Sequence, residues 1–290
     1  MEKPTFTHDL LKSKVLYVSD LDGTLLDLTS QVSAESVRLL NESIEAGAHF
    51  TIATARTPAT LIGLMRDVNL RLPGVVMTGA ALYNFSERRF SRLQFMPPGV
   101  TDRLVKLYRK HDTGTFIYTF ADDMLKVYHI GELNELEKGF RSQRAHTGVK
   151  RFIVPPCGES PLPANLDNTL LLYSVQPWLR AKAVYDDIIR EKTPVTPLCY
   201  HDNFGDDWGQ LEMFSPTANK AAAVEDIASQ IGAGRIVAFG DNVNDIPLFR
   251  LADVGIAMGN AVDELKEIAS EVIASNDTPA VADFIRRHTI

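Results

Sequence analysis

Apolar positions in this chain fall into two alternating patterns at its two ends. Val15-Leu16-Tyr17-Val18 is a short unbroken run, the mark of a strand buried on both faces. Ser33 then caps a predicted helix to about Ala46, which puts Val37, Leu40 and Ile44 on one face and ends at Gly47. His49-Phe50-Thr51-Ile52-Ala53 reads as a second strand. Thr57-Pro58, an N-cap followed by proline at the first helical position, opens a helix through about Val68, and Gly74-Val75-Val76-Met77 gives a third strand. The end of the chain repeats the alternation. A helix is predicted from about Asn219 to Ile231, a strand from Arg235 to Phe239, a helix from about Ile246, a short strand from Val254 to Ala257, and further αβα elements.

Strand and helix in strict alternation with short connections predict a parallel sheet wound by helices, so the fold class is α/β: a Rossmann-like three-layer αβα core. Residues 1–84 and 209–290 are assigned to that core. Between them the texture changes. Hairpin-like strands, Phe116 to Ala121 and Met124 to His129, flank a turn at Asp122-Asp123, and Pro155-Pro156 through Pro163 is rich in proline. Helices are expected at about Val100 to His111, Glu132 to Arg144 and Trp178 to Glu191, with strands at Thr169 to Val175 and Gln210 to Phe214. Residues 85–208 are therefore read as an inserted α+β domain. His201, Asp202, Asn203 and Trp208 read as a surface loop.

A length of 290 residues fits two bodies better than one, and 45% hydrophobic with 23% charged residues is ordinary globular composition. The net charge of −7 argues against a nucleic-acid partner, whose phosphates need Lys and Arg. Cys157 and Cys199 lie in different segments and lack neighbours at metal-ligand spacing, so neither a disulfide framework nor a zinc site is indicated. No apolar run reaches membrane-span length and Met1 to Lys14 carries no apolar targeting segment, so no membrane is expected and the cytoplasm is the default compartment.

Chemistry concentrates just past two predicted strands. Asp20-Leu21-Asp22-Gly23-Thr24 follows the first, and Gly240-Asp241-Asn242-Val243-Asn244-Asp245 follows Ile236-Val237-Ala238-Phe239. Ligand sites of open α/β sheets lie outside the carboxyl ends of the strands, where Asp20, Thr54 and Asp241 all fall. A turn starting at Asp20 can bring its carboxylate and that of Asp22 toward one point. Two carboxylates about 4 Å apart repel by roughly 4 kcal/mol at an effective dielectric near 20, so such a group needs a proton or a cation. Oxygen donors without His or Cys suit a hard ion that keeps several waters, which favours Mg²⁺. Lys220 opens a helix, where both its charge and the helix N-terminus favour a phosphate oxygen. The hydroxyl of Thr54 and the backbone N–H groups after Asp20 and Thr54 offer further donors. A calcium loop is excluded, because Leu25 and Gln31 stand where that loop needs Gly and Glu.

As a set, these residues resemble the haloacid dehalogenase superfamily, and within it the Cof-like subgroup with an αβ cap inserted between the second and third motifs. The motifs are Asp20-Leu21-Asp22-Gly23-Thr24-Leu25, Ala53-Thr54-Ala55-Arg56, Asn219-Lys220 and Gly240-Asp241-Asn242-Val243-Asn244-Asp245, with Met258-Gly259-Asn260-Ala261 behind the fourth. The resemblance implies a Mg²⁺-dependent phosphatase of small phosphorylated metabolites, sugar phosphates above all. It implies that Asp20 forms an aspartyl-phosphate and that Asp22 protonates the leaving group and then activates water. Leu21, Thr54, Ala55, Lys220 and Asn244 would bind the phosphoryl group. Asp20, Asp241, Asp245 and the Asp22 carbonyl would serve the metal.

The chain departs from the subgroup in three places. Ala55 and Ala221 stand where Gly is usual, and Thr78 replaces an Asn before Gly79-Ala80. An Ala55 contact to phosphate requires that this residue avoid positive φ. Two other readings of the motifs remain open at this point: a phosphomutase using the same aspartyl-phosphate, and a non-catalytic phosphate-ligand sensor.

Overall fold

The computed structural model describes residues 14–144, 148–154, 162–202 and 205–290, so Cys157, Asn203 and most of the proline-rich stretch lie outside the described residues. The chain divides into two compact units, Met1–Ser91 with Asn219–Ile290, and Arg92–Ala218.

The first unit begins with β1 (Val15–Ser19), α1 (Ala34–Glu45), β2 (His49–Ile52), α2 (Pro58–Leu64), β3 (Gly74–Val76), β4 (Ala81–Asn84) and β5 (Arg89–Ser91). The second contains α3 (Val100–Lys110), β6 (Thr115–Ala121), β7 (Met124–Ile130), α4 (Glu135–Arg144), β8 (Lys150–Phe152), β9 (Thr169–Pro177), α5 (Trp178–Arg190), β10 (Thr196–Asp202) and β11 (Gly205–Phe214). The first unit then resumes with α6 (Lys220–Ile231), β12 (Arg235–Gly240), α7 (Ile246–Leu251), β13 (Val254–Ala257), α8 (Asp263–Ile268), β14 (Glu271–Val272) and α9 (Ala280–Arg287).

Five parallel strands in the order β14-β13-β12-β1-β2 form the main sheet of the first unit. Helices cover both of its faces. Phe239 of β12 meets Phe284 of α9 edge-on, with centroids 5.4 Å apart. Its neighbour Ala238 points the other way and pairs in register with Gly255 of β13, which lies against Phe249 of α7. Burial on both faces is why these strands read as unbroken apolar runs.

Three local features differ from the sequence pattern. The helix from Pro58 ends at Leu64 and not near Val68, and Thr57 makes no side-chain cap bond. Tertiary bonds take over from there: Asn41 of α1 donates to the Asp67 carbonyl at 2.9 Å and accepts from the Asn69 N–H at 2.8 Å. β3 meets the main sheet through an isolated bridge between Ala53 and Val75, and heads a separate antiparallel sheet, β3-β4-β5. The β4–β5 hairpin escaped the pattern because its strands are short; Asn84 Oδ1 holds its turn by accepting from the Ser86 and Glu87 N–H groups.

The second unit is built on a six-stranded sheet, β10-β11-β9-β6-β7-β8. Ile117, Leu172, Leu211 and Met213 form a core with Leu104 and Tyr108 of α3 and Val184 and Ile188 of α5. The opposite face carries aromatic rings, with Phe140 of α4 lying 4.8 Å from Tyr173 and 5.3 Å from Phe116. Asp122 and Asp123 both take positive φ, as a two-residue hairpin turn requires. His201 and Asp202 end β10 and Trp208 lies in β11, strand where a loop was expected, and His201 stacks on Trp178 at 3.7 Å. Both junctions between the units fall later than residues 84 and 208, since the β4–β5 hairpin stays with β3 while β11 pairs with β9 and β10. Among the described residues, no helix is long and apolar enough to cross a membrane.

Asp187 of α5 is buried and ties α5 to the end of α3. It accepts from Lys110 Nζ at 2.7 Å and pairs with His111 Nε2 at 2.9 Å, with Arg190 also on it. The hydrogen bonds from Lys110 and His111 hold its carboxyl well below the usual carboxylate range. A depressed folded-state value gives stability that is present above the unfolded value of about 3.9 and lost as pH falls through the folded one. Asp187→Ala is expected to cost about 1–2 kcal/mol at neutral pH, a modest figure because Lys110 and Arg190 are solvent-exposed. Urea midpoints at pH 7 and pH 3 test this: the mutant's deficit should be smaller at pH 3.

Candidate active site

The site grows from the carboxyl ends of β1 and β12, which are adjacent and parallel. Asp20 extends β1 by one step, its N–H donating to the Phe239 carbonyl at 3.0 Å. The chain then turns sharply: Asp22 is extended and Gly23 takes φ 77°. Glycine is needed there twice over, because a Cβ would lie 2.3 Å from Asp241 Oδ2 as well as strain the backbone. The close approach lets buried Thr24 donate its hydroxyl to Asp241 Oδ1 at 2.9 Å. Asn260 and Asn276 secure the turn from behind, donating to the Gly23 and Leu26 carbonyls at 2.8 Å each.

Asp245 belongs to a one-turn helix, Val243–Asp245, and is fully buried. Its Oδ2 accepts from the N–H groups of Asp241 and Asn242 at 3.2 and 3.3 Å, which curls the loop back on itself. Its Oδ1 accepts from Lys220 Nζ at 3.0 Å, and the same ammonium donates to Asp20 Oδ1 at 2.6 Å. Lys220 is the first residue of α6, and Asn219 caps the helix by accepting from the Ala222 N–H at 2.6 Å. The turn at Met77–Gly79 packs against that cap so closely that a Cβ on Gly79 would fall 2.2 Å from the Asn219 carbonyl oxygen.

Asp20, Asp241 and Asp245 each offer an oxygen within 4.8 Å of the others. Like charges at that distance repel by about 3 kcal/mol per pair at an effective dielectric near 20. Burial is the largest influence on Asp20 and pushes it up to about 7 against the pull of Lys220, with Asp245 and Asp241 adding to the rise. Burial also raises Asp241, eased by the Thr24 hydroxyl. At Lys220 burial works against the charge, but Asp20 and Asp245 outweigh it and hold the ammonium above its ordinary value. Among the described residues, Lys220 is the cation bonded within this group of three carboxylates, and it reaches two of them, so the group is short of positive charge. Its donors are all oxygen, which fits a hard divalent ion.

The other expected residues fall into place unevenly. The Asp22 carboxylate is not part of the three-carboxylate group, though it lies close enough to Asp241 to help raise that carboxyl. It is half-exposed and gripped by Arg56, whose Nε donates to Oδ2 at 2.8 Å and whose terminal nitrogen donates to Oδ1 at 2.5 Å. Thr54 is buried; its hydroxyl oxygen accepts from the Arg56 N–H at 3.2 Å, which leaves the O–H as a donor. Ala55 is exposed and keeps a negative φ, so alanine fits where glycine is usual. Leu21 is buried and Asn244 is exposed. Arg56 and Thr24 lie inside quoted motifs but drew no role from sequence, and Asn276 carried no local signal at all.

The sequence matches the family model for haloacid dehalogenase-like hydrolases over residues 17–285. The chain belongs to this family. It is 24% identical over 276 residues to a 5-amino-6-(5-phospho-D-ribitylamino)uracil phosphatase of Bacillus subtilis, covering 94% of this chain and 97% of that protein. It is 25% identical over 276 residues to a pyridoxal phosphate phosphatase of Escherichia coli, covering 93% and 97%. Among solved structures, a haloacid dehalogenase subclass IIB sugar phosphatase superposes with a TM-score of 0.70 at 20% identity, covering 96% of this chain and all of the other. This haloacid dehalogenase-like protein is of the Cof-like type and is a phosphoric monoester hydrolase.

Thr78 is the strained point of the site. It takes φ 55°, a region costly for a β-branched residue, and its buried hydroxyl has no hydrogen-bond partner among the described residues. Thr78→Asn should raise the unfolding free energy by about 1 kcal/mol, because asparagine tolerates this region. Denaturant midpoints of the two proteins check it; an unchanged or lower midpoint would show that the turn is not strained.

Proposed function

We propose that this protein is a Mg²⁺-dependent phosphatase of small phosphorylated metabolites whose organic part is hydroxyl-rich, sugar phosphates first among them, and that it works through an aspartyl-phosphate. The observation that carries the reading is the Lys220 ammonium bonded to both Asp20 and Asp245 within a buried group of three carboxylates. A nucleophile, a fixed cation and a cation-deficient oxygen cage together are what phosphoryl transfer needs. The named substrates of the relatives, a ribitylamino-uracil phosphate and pyridoxal phosphate, support a small metabolite, and the likeness to a sugar phosphatase supports a sugar.

In this reading Asp20 attacks phosphorus, the P–O bond to the leaving group breaks, and Asp22 gives that oxygen a proton. Asp22 then takes a proton from water as the water oxygen attacks phosphorus, which breaks the bond to Asp20 and releases phosphate. Lys220 and the Thr54 hydroxyl hold phosphoryl oxygens, joined by the backbone N–H groups of Leu21 and Ala55 and by Asn244. Asp20, Asp241, Asp245 and the Asp22 carbonyl would serve Mg²⁺, which would screen the nucleophile from an anionic substrate and offset charge on the transferring group. The inserted unit, Arg92–Ala218, supplies selectivity for the organic part.

A panel of sugar, nucleotide and cofactor phosphates, assayed for phosphate release with and without Mg²⁺, tests this directly. Asp20→Asn should lower phosphate release by roughly 10³-fold or more on every substrate of the panel. Asp241→Asn should remove the rise in thermal midpoint that Mg²⁺ gives the parent protein. Release that persists in purified Asp20→Asn would overturn the covalent route, and conversion of a hexose 1-phosphate to its 6-phosphate would show a mutase.

A further inference from the structure

The Asp22–Arg56 pair is more tightly built than a surface ion pair needs to be. Both carboxylate oxygens are engaged, by Nε at 2.8 Å and by a terminal guanidinium nitrogen at 2.5 Å, in the planar two-point match that arginine alone provides. The two residues are 34 positions apart in the chain and follow different strands, β1 and β2, which lie side by side. Backbone bonds set the position of Arg56: its N–H donates to the Thr54 hydroxyl at 3.2 Å and its carbonyl accepts from the Met77 N–H at 3.0 Å. The Arg56 side chain is 29% exposed while the Asp22 side chain it holds is 55% exposed. An exposed aspartate on a turn would otherwise sample several rotamers, and this one immediately precedes the left-handed Gly23.

We infer that Arg56 is the positioning residue for Asp22, fixing the plane of the carboxylate so that its free lone pairs face the leaving-group oxygen and then the attacking water. The inference rests on the acid–base role given to Asp22 under the proposed function. A carboxylate has about four lone-pair directions, and a two-point guanidinium occupies two of them. The remaining two are then fixed in direction. Misplacement of a catalytic group by about 1 Å costs on the order of 10²-fold, which is the effect expected when this grip is lost.

Leaving-group dependence separates positioning from a structural role. p-Nitrophenolate departs without a proton, whereas an alkoxide needs one, and kcat/KM covers only the steps through the first irreversible one. On the primary-alkyl phosphate turned over fastest in the panel, Arg56→Ala should lose about 10²-fold in kcat/KM. On p-nitrophenyl phosphate kcat/KM should change less than about threefold, while kcat falls and a burst of nitrophenolate appears because water attack still needs Asp22. Arg56→Lys, which keeps the charge but not the planar fork, should recover only part of the alkyl-phosphate loss. In an Asp22→Asn background, Arg56→Ala should cost less than about twofold.

Equal losses on both substrates, additivity with Asp22→Asn, or a KM rise on both substrates at unchanged kcat would overturn the inference, the last by making Arg56 a direct substrate ligand. Failure of the underlying reading looks different. It would appear as an Asp22→Asn protein whose own losses do not depend on the leaving group.

Discussion

One buried ammonium organises this active site. Lys220 Nζ donates to Asp20 across 200 residues of sequence and to Asp245 across 25, and all three side chains are withdrawn from water. Removing one partner of a buried ion pair leaves the other uncompensated, at a cost of about 3–5 kcal/mol. The cluster is therefore a constraint on the whole first unit. The end of β1, the start of α6 and the loop after β12 must meet at one place, or charges are stranded in the interior. Even when they meet, Lys220 is the one cation among the described residues bonded to this group of three carboxylates, an imbalance that a second cation would offset.

The rest of the local structure serves that convergence by removing side chains where backbones must touch. Gly23 lets its turn pass within reach of Asp241, and Gly79 lets the Met77–Gly79 turn rest on the Asn219 carbonyl that precedes Lys220. Thr78, between two residues that also take positive φ, carries the strain of that approach. Asp245 has two duties at once. One oxygen takes the loop's N–H groups and the other takes Lys220, so the loop cannot form its shape without delivering a carboxylate to the cluster.

Much of this was legible in sequence. The parallel strands of the first unit, the Ser33 cap, the helix start near Asn219, and the positions of Asp20, Thr54, Lys220, Asp241 and Asp245 at strand ends or helix starts all followed from apolar periodicity and residue type. The failures have physical causes. The end of α2 depends on Asn41, a residue of another helix, and no local propensity encodes that bond. The β4–β5 hairpin and β8 are too short for a period to show. β10, with a proline and a histidine, lacks a clean alternation until β11 pairs with it.

The sequence by itself determined the chemistry available: which carboxylates, which cation, and at which ends of which strands, because hydrophobic period and capping residues act within a few positions of themselves. It also determined the family through motifs that keep their order along the chain. Only the tertiary structure decided the partnerships. Asp20 and Asp22 stand two residues apart, yet one joins Lys220 and the three-carboxylate group while the other is held by Arg56. That division rests on the φ of Gly23 and on the neighbouring strand β2, which brings Arg56 alongside. Charges choose partners by distance through space, and distance through space is what a chain acquires only when it folds.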